Sequence, residues 1–586
     1  MNSDEGSPLL IQAGCLEEVA GVLRRVEQLT TAGAWALGFV SYEAAPAFEP
    51  KMETHTPQDL PLAAFYVFPA SSTASRPFHW KDGPGTNRAA ILTSPSLSPP
   101  ASDRDDGNAP RMAAMIDEET YRRAVDQIRE RIAAGETYQV NFTFPLAGAT
   151  SGSAAAWFEV LCTRQGPGEY YYLDFGRFQI ACVSPELFFS LEDCHIEMRP
   201  MKGTRPRGRW LEEDLARAED LRRSEKDQAE NVMVVDMIRN DLGRIAEKGS
   251  VAVTRLFEVE RYETVWQMTS TVCAHTHAGL PEIFGALFPS ASVTGAPKIE
   301  TMKVIRELEQ QPRGVYCGAV GWWGPGRRGR FSVAIRTATI DAERGSVRYP
   351  VGSGITWGSS AADEYEECLQ KAALLSTERP QFQLLETLLF EDGHYFLLDL
   401  HLERLRQSAH FFDFHCDVAA VRRALGREAE YFGQAPMRVR LLLDRDGGVQ
   451  VHPSPLDGAA RAPLRVVLAK KPVDSQDIFL FHKTTHRKVY EARRQDCPEA
   501  DDVILWNERG EVTESTIANV VIEDADGLWT PPRACGLLAG TFREHLLRQG
   551  NLQERIIHVD ELSTRKLRLI NSLRGSMSAA LMLYDA

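Results

Sequence analysis

Cysteine is sparse in this chain: ten among 586 residues, scattered without a Cys-x-x-Cys pair or a regular framework. Reduced thiols fit that usage better than disulfides or zinc. Long apolar runs are missing too, none approaching the roughly 20 residues a membrane span needs. Residues 1–8 are acidic and polar, with no basic stretch leading into an apolar one, so export is not expected and the expected compartment is the cytoplasm. Positive charge is in deficit. The 66 Lys and Arg face 81 Asp and Glu, a formal net charge of −15, which argues against a nucleic-acid surface. An anionic ligand must then be held by local Arg or Lys, backbone N–H groups or a metal ion.

What is present is an ordinary globular composition, 43% hydrophobic and 25% charged, in a chain too long for one hydrophobic core. Residues 84–112 are rich in Pro, Ser, Asp and Gly and read as a flexible insertion between an N-terminal segment, 1–83, and a core, 113–375. In the core, residues 118–134 carry apolar side chains at helical spacing, with Gly135 as a stop. Residues 138–144 alternate like a strand, 212–242 read as one long helical region, 330–340 and 347–355 as strands joined by a turn, and 360–375 as a last helix. The segment Ser376-Thr377-Glu378-Arg379-Pro380 breaks the pattern, because Pro380 disfavours helix at Arg379; it is the expected linker. Residues 381–586 are the size of one more α/β domain.

Two lysines stand out. Lys202, in Arg199-Pro200-Met201-Lys202-Gly203-Thr204, precedes a Gly-Thr turn, a placement that packing does not require. Lys483 lies in Phe481-His482-Lys483-Thr484-Thr485-His486-Arg487, in the second domain. Both are candidates for amine nucleophiles.

Around Lys202, the stretches Ser184-Pro185-Glu186-Leu187, Lys226-Asp227-Gln228-Ala229-Glu230-Asn231, Arg313-Gly314-Val315-Tyr316-Cys317-Gly318, Ile335-Arg336-Thr337 and Glu364-Tyr365-Glu366-Glu367 fall in order within residues 117–375. They resemble the chorismate-utilising enzymes and, among these, the para-aminobenzoate branch. The resemblance implies an α/β fold like that of anthranilate synthase component I: a sandwich of antiparallel sheets with helices outside. It implies Glu230 and Glu367 as contacts of a Mg²⁺ ion. Asp227 and Glu364 each lie three residues from one of these on a helix face, and hard oxygen donors favour that metal. Tyr316, Arg336 and Lys371 match positions that hold substrate carboxylates, and Gly203, Thr204, Gly352 and Gly354 would bring backbone close to the ligand. Anthranilate synthases carry a small residue in place of Lys202. A lysine there implies attack of its amine on C2 of chorismate with loss of the C4 hydroxyl, so that ammonia adds at C4 and displaces the lysine. Glu186 sits at the acid/base position. Gln139 occupies the place of the lysine base of isochorismate-forming relatives, which argues against water as the nucleophile, and Gln267 stands where many relatives have a histidine. No Gly-x-Cys-x-Gly nucleophile motif is found, so ammonia is expected from a separate glutamine amidotransferase subunit or from solution.

Residues 381–586 resemble the fold-type IV pyridoxal-phosphate enzymes in Glu386-Thr387, His401-Leu402-Glu403-Arg404, Lys483, Glu511-Val512-Thr513-Glu514, Gly540-Thr541 and Asn571-Ser572. That resemblance implies a two-subdomain α/β fold and pyridoxal 5′-phosphate as cofactor. Lys483 would bond its aldehyde and shuttle protons, Glu514 would face its pyridinium nitrogen, and Arg404 with Gly540 and Thr541 would hold its phosphate. The family includes branched-chain and D-amino-acid aminotransferases as well as aminodeoxychorismate lyase; Glu386 stands where the lyases often place a hydroxyl beside the family threonine. Joined to the first half, the implied sequence is amination of chorismate to 4-amino-4-deoxychorismate, then elimination of pyruvate to give 4-aminobenzoate for folate. An amino-acid aminotransferase in the second half, an anthranilate-forming first half, and a catalytically dead scaffold are the alternatives.

Overall fold

The computed structural model describes residues 8–57, 59–69, 79–82, 88–92, 110–150, 152–166, 168–375, 380–456 and 463–582. They fall into two units, Met1–Pro206 with Ala218–Arg379, and Arg207–Arg217 with Pro380–Ala586.

In the first unit, runs with apolar residues on alternate positions form two sheets. A ten-stranded antiparallel sheet runs from Leu9–Ala13 through Trp35–Val40, Ala319–Gly324, Arg328–Val333, Leu187–Glu192 and Val265–His275 to Met201–Pro206. The nine-stranded sheet centres on Gln139–Ala149, Ser346–Ile355, Thr337–Asp341, Phe178–Cys182 and Glu169–Asp174. Their facing sides close on Trp35, Leu37, Phe39, Tyr66, Tyr171, Ile180 and Trp322. Helices Leu16–Thr31 and Glu225–Gly243 cover the outside of the first sheet, and Glu118–Ala133 and Ala361–Ala372 that of the second. Burying each large apolar side chain contributes about 1.5–3 kcal/mol, so this shared layer holds the sheets, and the loops that cross between them, in fixed register.

The sandwich matches the expected class, with several corrections. One strand pair is parallel: Arg88–Leu92 lies along Glu169–Asp174. The segment expected as an insertion thus contains a strand, which lies between Glu169–Asp174 and His79–Asp82; residues 84–87 and 93–109 lie outside the described residues, as does most of the expected linker, 376–379. The long helical region is two helices, Leu211–Arg223 and Glu225–Gly243. Ser224 divides them because its side chain accepts from the Asp227 N–H at 3.3 Å and so caps a new helix. Residues 330–340 are likewise two strands, Arg328–Val333 and Thr337–Asp341, which belong to different sheets. The crossing at 334–336 puts Arg336 at φ +47°, a left-handed conformation that costs a non-glycine residue on the order of 1–3 kcal/mol. A second crossing, at residues 183–186, carries Glu186 between Phe178–Cys182 and Leu187–Glu192. Side chains that leave the sheets at these crossings point to one place.

The second unit has the expected two parts. A four-stranded sheet of His394–Tyr395, Leu384–Glu391, Met437–Leu443 and Val449–Pro455 packs against helices Leu398–Phe412 and Val418–Ala429. An eight-stranded mixed sheet includes Asp502–Trp506, Leu464–Leu468, Gly575–Leu581, Lys566–Asn571 and Asn519–Asp524. Also within this unit, Trp210 packs on Phe481 with ring centroids 5.2 Å apart, although residue 210 falls in the stretch expected to belong to the core at 113–375.

Candidate active sites

A cavity of about 300 Å³ in the first unit is lined by every candidate named there: Lys202, Gly203, Thr204, Glu186, Asp227, Glu230, Tyr316, Arg336, Gly352, Gly354, Glu364, Glu367 and Lys371. Lys202 stands on Met201–Pro206, the edge strand of the large sheet. Burial pulls its amine below the usual lysine value; Glu230, Glu186 and Glu367 pull the other way, and Lys371 reinforces the lowering. Gly354, on the opposing sheet, leaves room for both side-chain ends: a Cβ there would lie 2.9 Å from Lys202 Nζ and 2.4 Å from Gln139 Nε2 and would push them aside. Gln139 is therefore beside the amine, a neighbour without charge.

The strand that carries Lys202 is braced from the neighbouring strand. Gln267 donates to the Gly203 carbonyl at 3.0 Å and accepts from Thr204 Oγ1 at 3.0 Å. An amide makes both bonds at once without titrating, so the departure from histidine has a positioning consequence. Gly203 itself sits at φ +94° with Asp227 against it, as a left-handed turn residue must.

Glu186 is buried, and burial pushes its carboxyl up to about 7 despite the hydrogen bond from Ser292 Oγ at 2.5 Å and the pull of Lys202. A carboxyl that keeps its proton near neutral pH can act as an acid. Ser292 is in turn placed by the buried Arg313, which donates to Val293 O at 2.8 Å and Asn141 O at 2.7 Å while paired with Glu309.

The four acids share a wall yet form no ready-made cage. Among the described residues, no three of them bring donor atoms within 4.8 Å of one another. Asp227 pairs with Arg205 at 2.9 Å, Glu367 with Lys371 at 2.7 Å, and Glu364 accepts from Ser359 Oγ at 2.8 Å. Glu230 faces Lys226 at 4.0 Å; burial raises its pKa, and Asp227 and Glu364 add to the rise. Burial works to raise Glu367 as well, but Lys371, Lys202 and Lys226 outweigh it and hold that carboxyl low. Such a set fits a hard divalent cation that shares its coordination with water and substrate oxygens, as Mg²⁺ does. Lys371 also donates to Gly352 O at 2.9 Å, and Arg336 to Gln165 at 2.5 Å. Asn141, Arg205, Ser292 and Lys226 are polar lining residues for which the sequence suggested no role.

The second unit holds a cavity of about 590 Å³, lined by Lys483, Glu514, Arg404, Gly540 and Thr541. Burial brings the Lys483 amine down to about 8, helped by Arg404 and Arg487 and opposed by Glu386 and Glu514. Glu514 is raised to about 7 by burial while it accepts from Tyr490 Oη at 2.7 Å and Leu538 N–H at 3.1 Å. Gly540 caps the helix Thr541–Arg548, and a Cβ on it would strike Asn519 Oδ1 at 2.1 Å. The open N–H groups of that first turn, with Thr541, make an anion site.

Arg404 is more committed than its expected role requires. Its Nε and Nη2 donate to Glu386 at 2.8 and 2.6 Å, and Nη1 donates to Ala539 O at 3.2 Å. Glu386 turns away from the cavity into this contact and that with His401 at 2.7 Å, which hold its carboxyl at about 2 against burial. Alternation along the strand then gives the cavity the neighbouring Thr387. A buried lysine, a facing carboxyl and a helix N-terminus fit pyridoxal phosphate, with Arg404 contributing chiefly its charge. Besides Arg404 and Arg487, three further arginines line this cavity, Arg438, Arg440 and Arg574. The first two share a face of Met437–Leu443, whose other face buries Val439, Leu441 and Leu443; the Arg-Val-Arg alternation was the available signal.

Comparison with known proteins gives matching family models for both units: residues 2–377 match the chorismate binding enzyme family and 383–581 the amino-transferase class IV family. An aminodeoxychorismate synthase of Streptomyces griseus is 42% identical over 276 residues, 46% of this chain and 37% of that protein. Aminodeoxychorismate synthase component 1 of Bacillus subtilis is 39% identical over 263 residues, 44% of this chain and 55% of the relative. Anthranilate synthase component 1 of Methanothermobacter marburgensis is 37% identical over 268 residues, 45% and 58% of the two chains. This chain thus spans between 37% and 58% of these relatives' length. The crystal structure of anthranilate synthase component I from Streptococcus pneumoniae TIGR4 shares the fold, with a TM-score of 0.52 and 24% identity over 64% of this chain and 94% of that one. No helix among the described residues is long and apolar enough to cross a membrane.

Proposed function

The chain belongs to the chorismate binding enzymes and carries a class IV amino-transferase domain behind that region, and from this premise we propose that it converts chorismate to 4-aminobenzoate in two steps. The observation that carries the reading is the Lys202 amine, lowered by burial and set in the cavity wall between acids and beside Gly354.

In the first step the neutral Lys202 amine attacks C2 of chorismate, a C–N bond forms, and the C4 hydroxyl leaves as water with a proton from Glu186. Ammonia then adds at C4, the Lys202–C2 bond breaks, and 4-amino-4-deoxychorismate is released. Arg336, Tyr316 and Lys371 would hold carboxylates. Glu230 and Glu367, with Asp227 and Glu364 beside them, would hold Mg²⁺, whose charge would offset that of the ring carboxylate. Ammonia comes from a separate glutamine amidotransferase or from solution.

In the second step, Lys483, Glu514, Thr541, the N–H groups after Gly540 and the charge of Arg404 would hold pyridoxal phosphate, which when bound supplies an electron sink. Lys483 would move protons at the substrate, and Thr387 lines the same cavity. Arg438, Arg440 and Arg574 favour a substrate with two carboxylates, which 4-amino-4-deoxychorismate is and most amino-acid donors are not.

Incubating the purified chain with chorismate, Mg²⁺, ammonium and pyridoxal phosphate, without any keto acid, tests the whole reading. Equimolar 4-aminobenzoate and pyruvate are expected. Accumulation of 4-amino-4-deoxychorismate until a keto acid is added would make the second unit an aminotransferase, and anthranilate would overturn the role of Lys202.

A further inference from the structure

Outside the lining of either cavity, the first unit carries a second cluster of ligand-type side chains. Strands His195–Arg199 and Val265–His275 run antiparallel with His195 opposite His275 and Glu197 opposite Cys273. Directly opposed residues share a face, as do residues two apart along a strand, so all four side chains stand together on one side of the sheet. The donor atoms of His195, Glu197 and Cys273 lie within 4.8 Å of one another. Cys273 Sγ is 3.9 Å from Glu197 Oε2, and the His195 and His275 rings are 5.6 Å apart between centroids. Cys273 is buried while both histidines are exposed, and Thr254 Oγ1 backs the thiol at 3.6 Å. Cys194, in the turn before the first strand, touches His275 Nδ1 at 3.6 Å.

We propose that this ladder is a binding site for a zinc-class divalent cation, with His195, His275, Cys273 and Glu197 as ligands. The donor set decides the class: two imidazoles, a thiolate and one carboxylate suit a borderline-soft, four-coordinate ion and not Mg²⁺. Charge agrees, since a thiolate and a carboxylate neutralise the dication. Tetrahedral donors at bond lengths of about 2.0–2.3 Å sit about 3.3–3.8 Å apart, so His195, Glu197 and Cys273 need roughly 1 Å of movement, and the exposed His275 imidazole must swing further to join them. Sequence spacing concealed the site, because residues 195–197 and 273–275 lie far apart in the chain and neither pair forms a Cys-x-x-Cys or similar motif. The bound ion would staple two strands, one of which carries Gln267 eight residues before His275 and hence about 25 Å away.

Cobalt is the probe. The metal-free full chain, with pyridoxal phosphate bound and excess Mg²⁺ to occupy the acid wall, is titrated with Co²⁺ while visible d–d absorption is followed. One equivalent is expected to give the strong bands of a tetrahedral site, abolished by one equivalent of Zn²⁺ and absent in Cys273→Ser. Because Cys273 is buried, the His195→Ala/His275→Ala double variant, altered only at exposed positions, is the second test. It is expected to keep amination activity while losing Zn²⁺ affinity by more than ~100-fold. Absence of tetrahedral bands in the unmodified protein, or bands that persist in both variants, would overturn the proposal.

Discussion

Lys202 and Lys483 are both amines drawn from water into a cavity wall, but their neighbours differ in sign. Glu230, Glu186 and Glu367 surround Lys202 and hold on to its proton against burial. Arg404 and Arg487 press on Lys483 and, with burial, bring it down to about 8. The backbone differs too. Lys202 is followed by a left-handed glycine and faces another glycine across the sheets, whereas Lys483 lies after a short helical turn, between the buried His482 and Thr484. The comparison teaches that a lysine's task is set by what surrounds it. On the proposed reading, an acid-lined wall able to take a cation would prepare an amine to meet a dianionic ring, while an arginine-rich pocket with a helix N-terminus would prepare one to share a phosphorylated cofactor.

Exchanging losses between the two sites is the strongest way to break this contrast. Lys202→Ala should reduce amination at C4 by ~10³-fold or more yet leave the bound cofactor's absorption and the turnover of supplied 4-amino-4-deoxychorismate unchanged. Lys483→Ala should do the reverse, and product analysis with a visible spectrum checks both. Glu186→Gln sharpens the first site, with an expected loss on the order of 10²–10⁴-fold in kcat. A carboxyl raised to about 7 keeps its proton below that pH and loses it above, so the unmodified enzyme should lose activity as pH rises through about 7 at constant free ammonia. The variant should lack that limb. Gly354→Ala should cost ~10²-fold through displacement of the Lys202 amine, with cofactor binding in the other cavity unaffected. Arg440→Ala should raise KM for pyruvate elimination by about 10–100-fold, the worth of one charge-assisted hydrogen bond, with a smaller change in kcat.

Much of this was legible in the sequence because the motifs are local. Lys202-Gly203-Thr204, Asp227 with Glu230, Glu364 with Glu367, and Gly540-Thr541 are each recognisable within a few residues, and the structure brings each to a cavity wall. The helix at 118–134 and the strand at 347–355 follow from periodicity alone. What could not be read depends on contacts between distant segments. The Arg205 partner of Asp227, the diversion of Glu386 to Arg404 and His401, and the bracing of Gly203 by Gln267 all join residues on different elements. The crossing at residues 334–336 was missed for a related reason: Ala334-Ile335-Arg336 is apolar enough to pass for strand, and only pairing reveals that its two ends belong to different sheets.

The most direct measurement of the central claim is the mass of the peptide that carries Lys202, taken after rapid quenching of enzyme mixed with chorismate and Mg²⁺ without ammonia. A gain of one chorismate less one water on Lys202, discharged when ammonia is added, is the expected result. An unmodified Lys202 peptide, with the same mass gain on another residue that ammonia discharges to the aminated product, would contradict it.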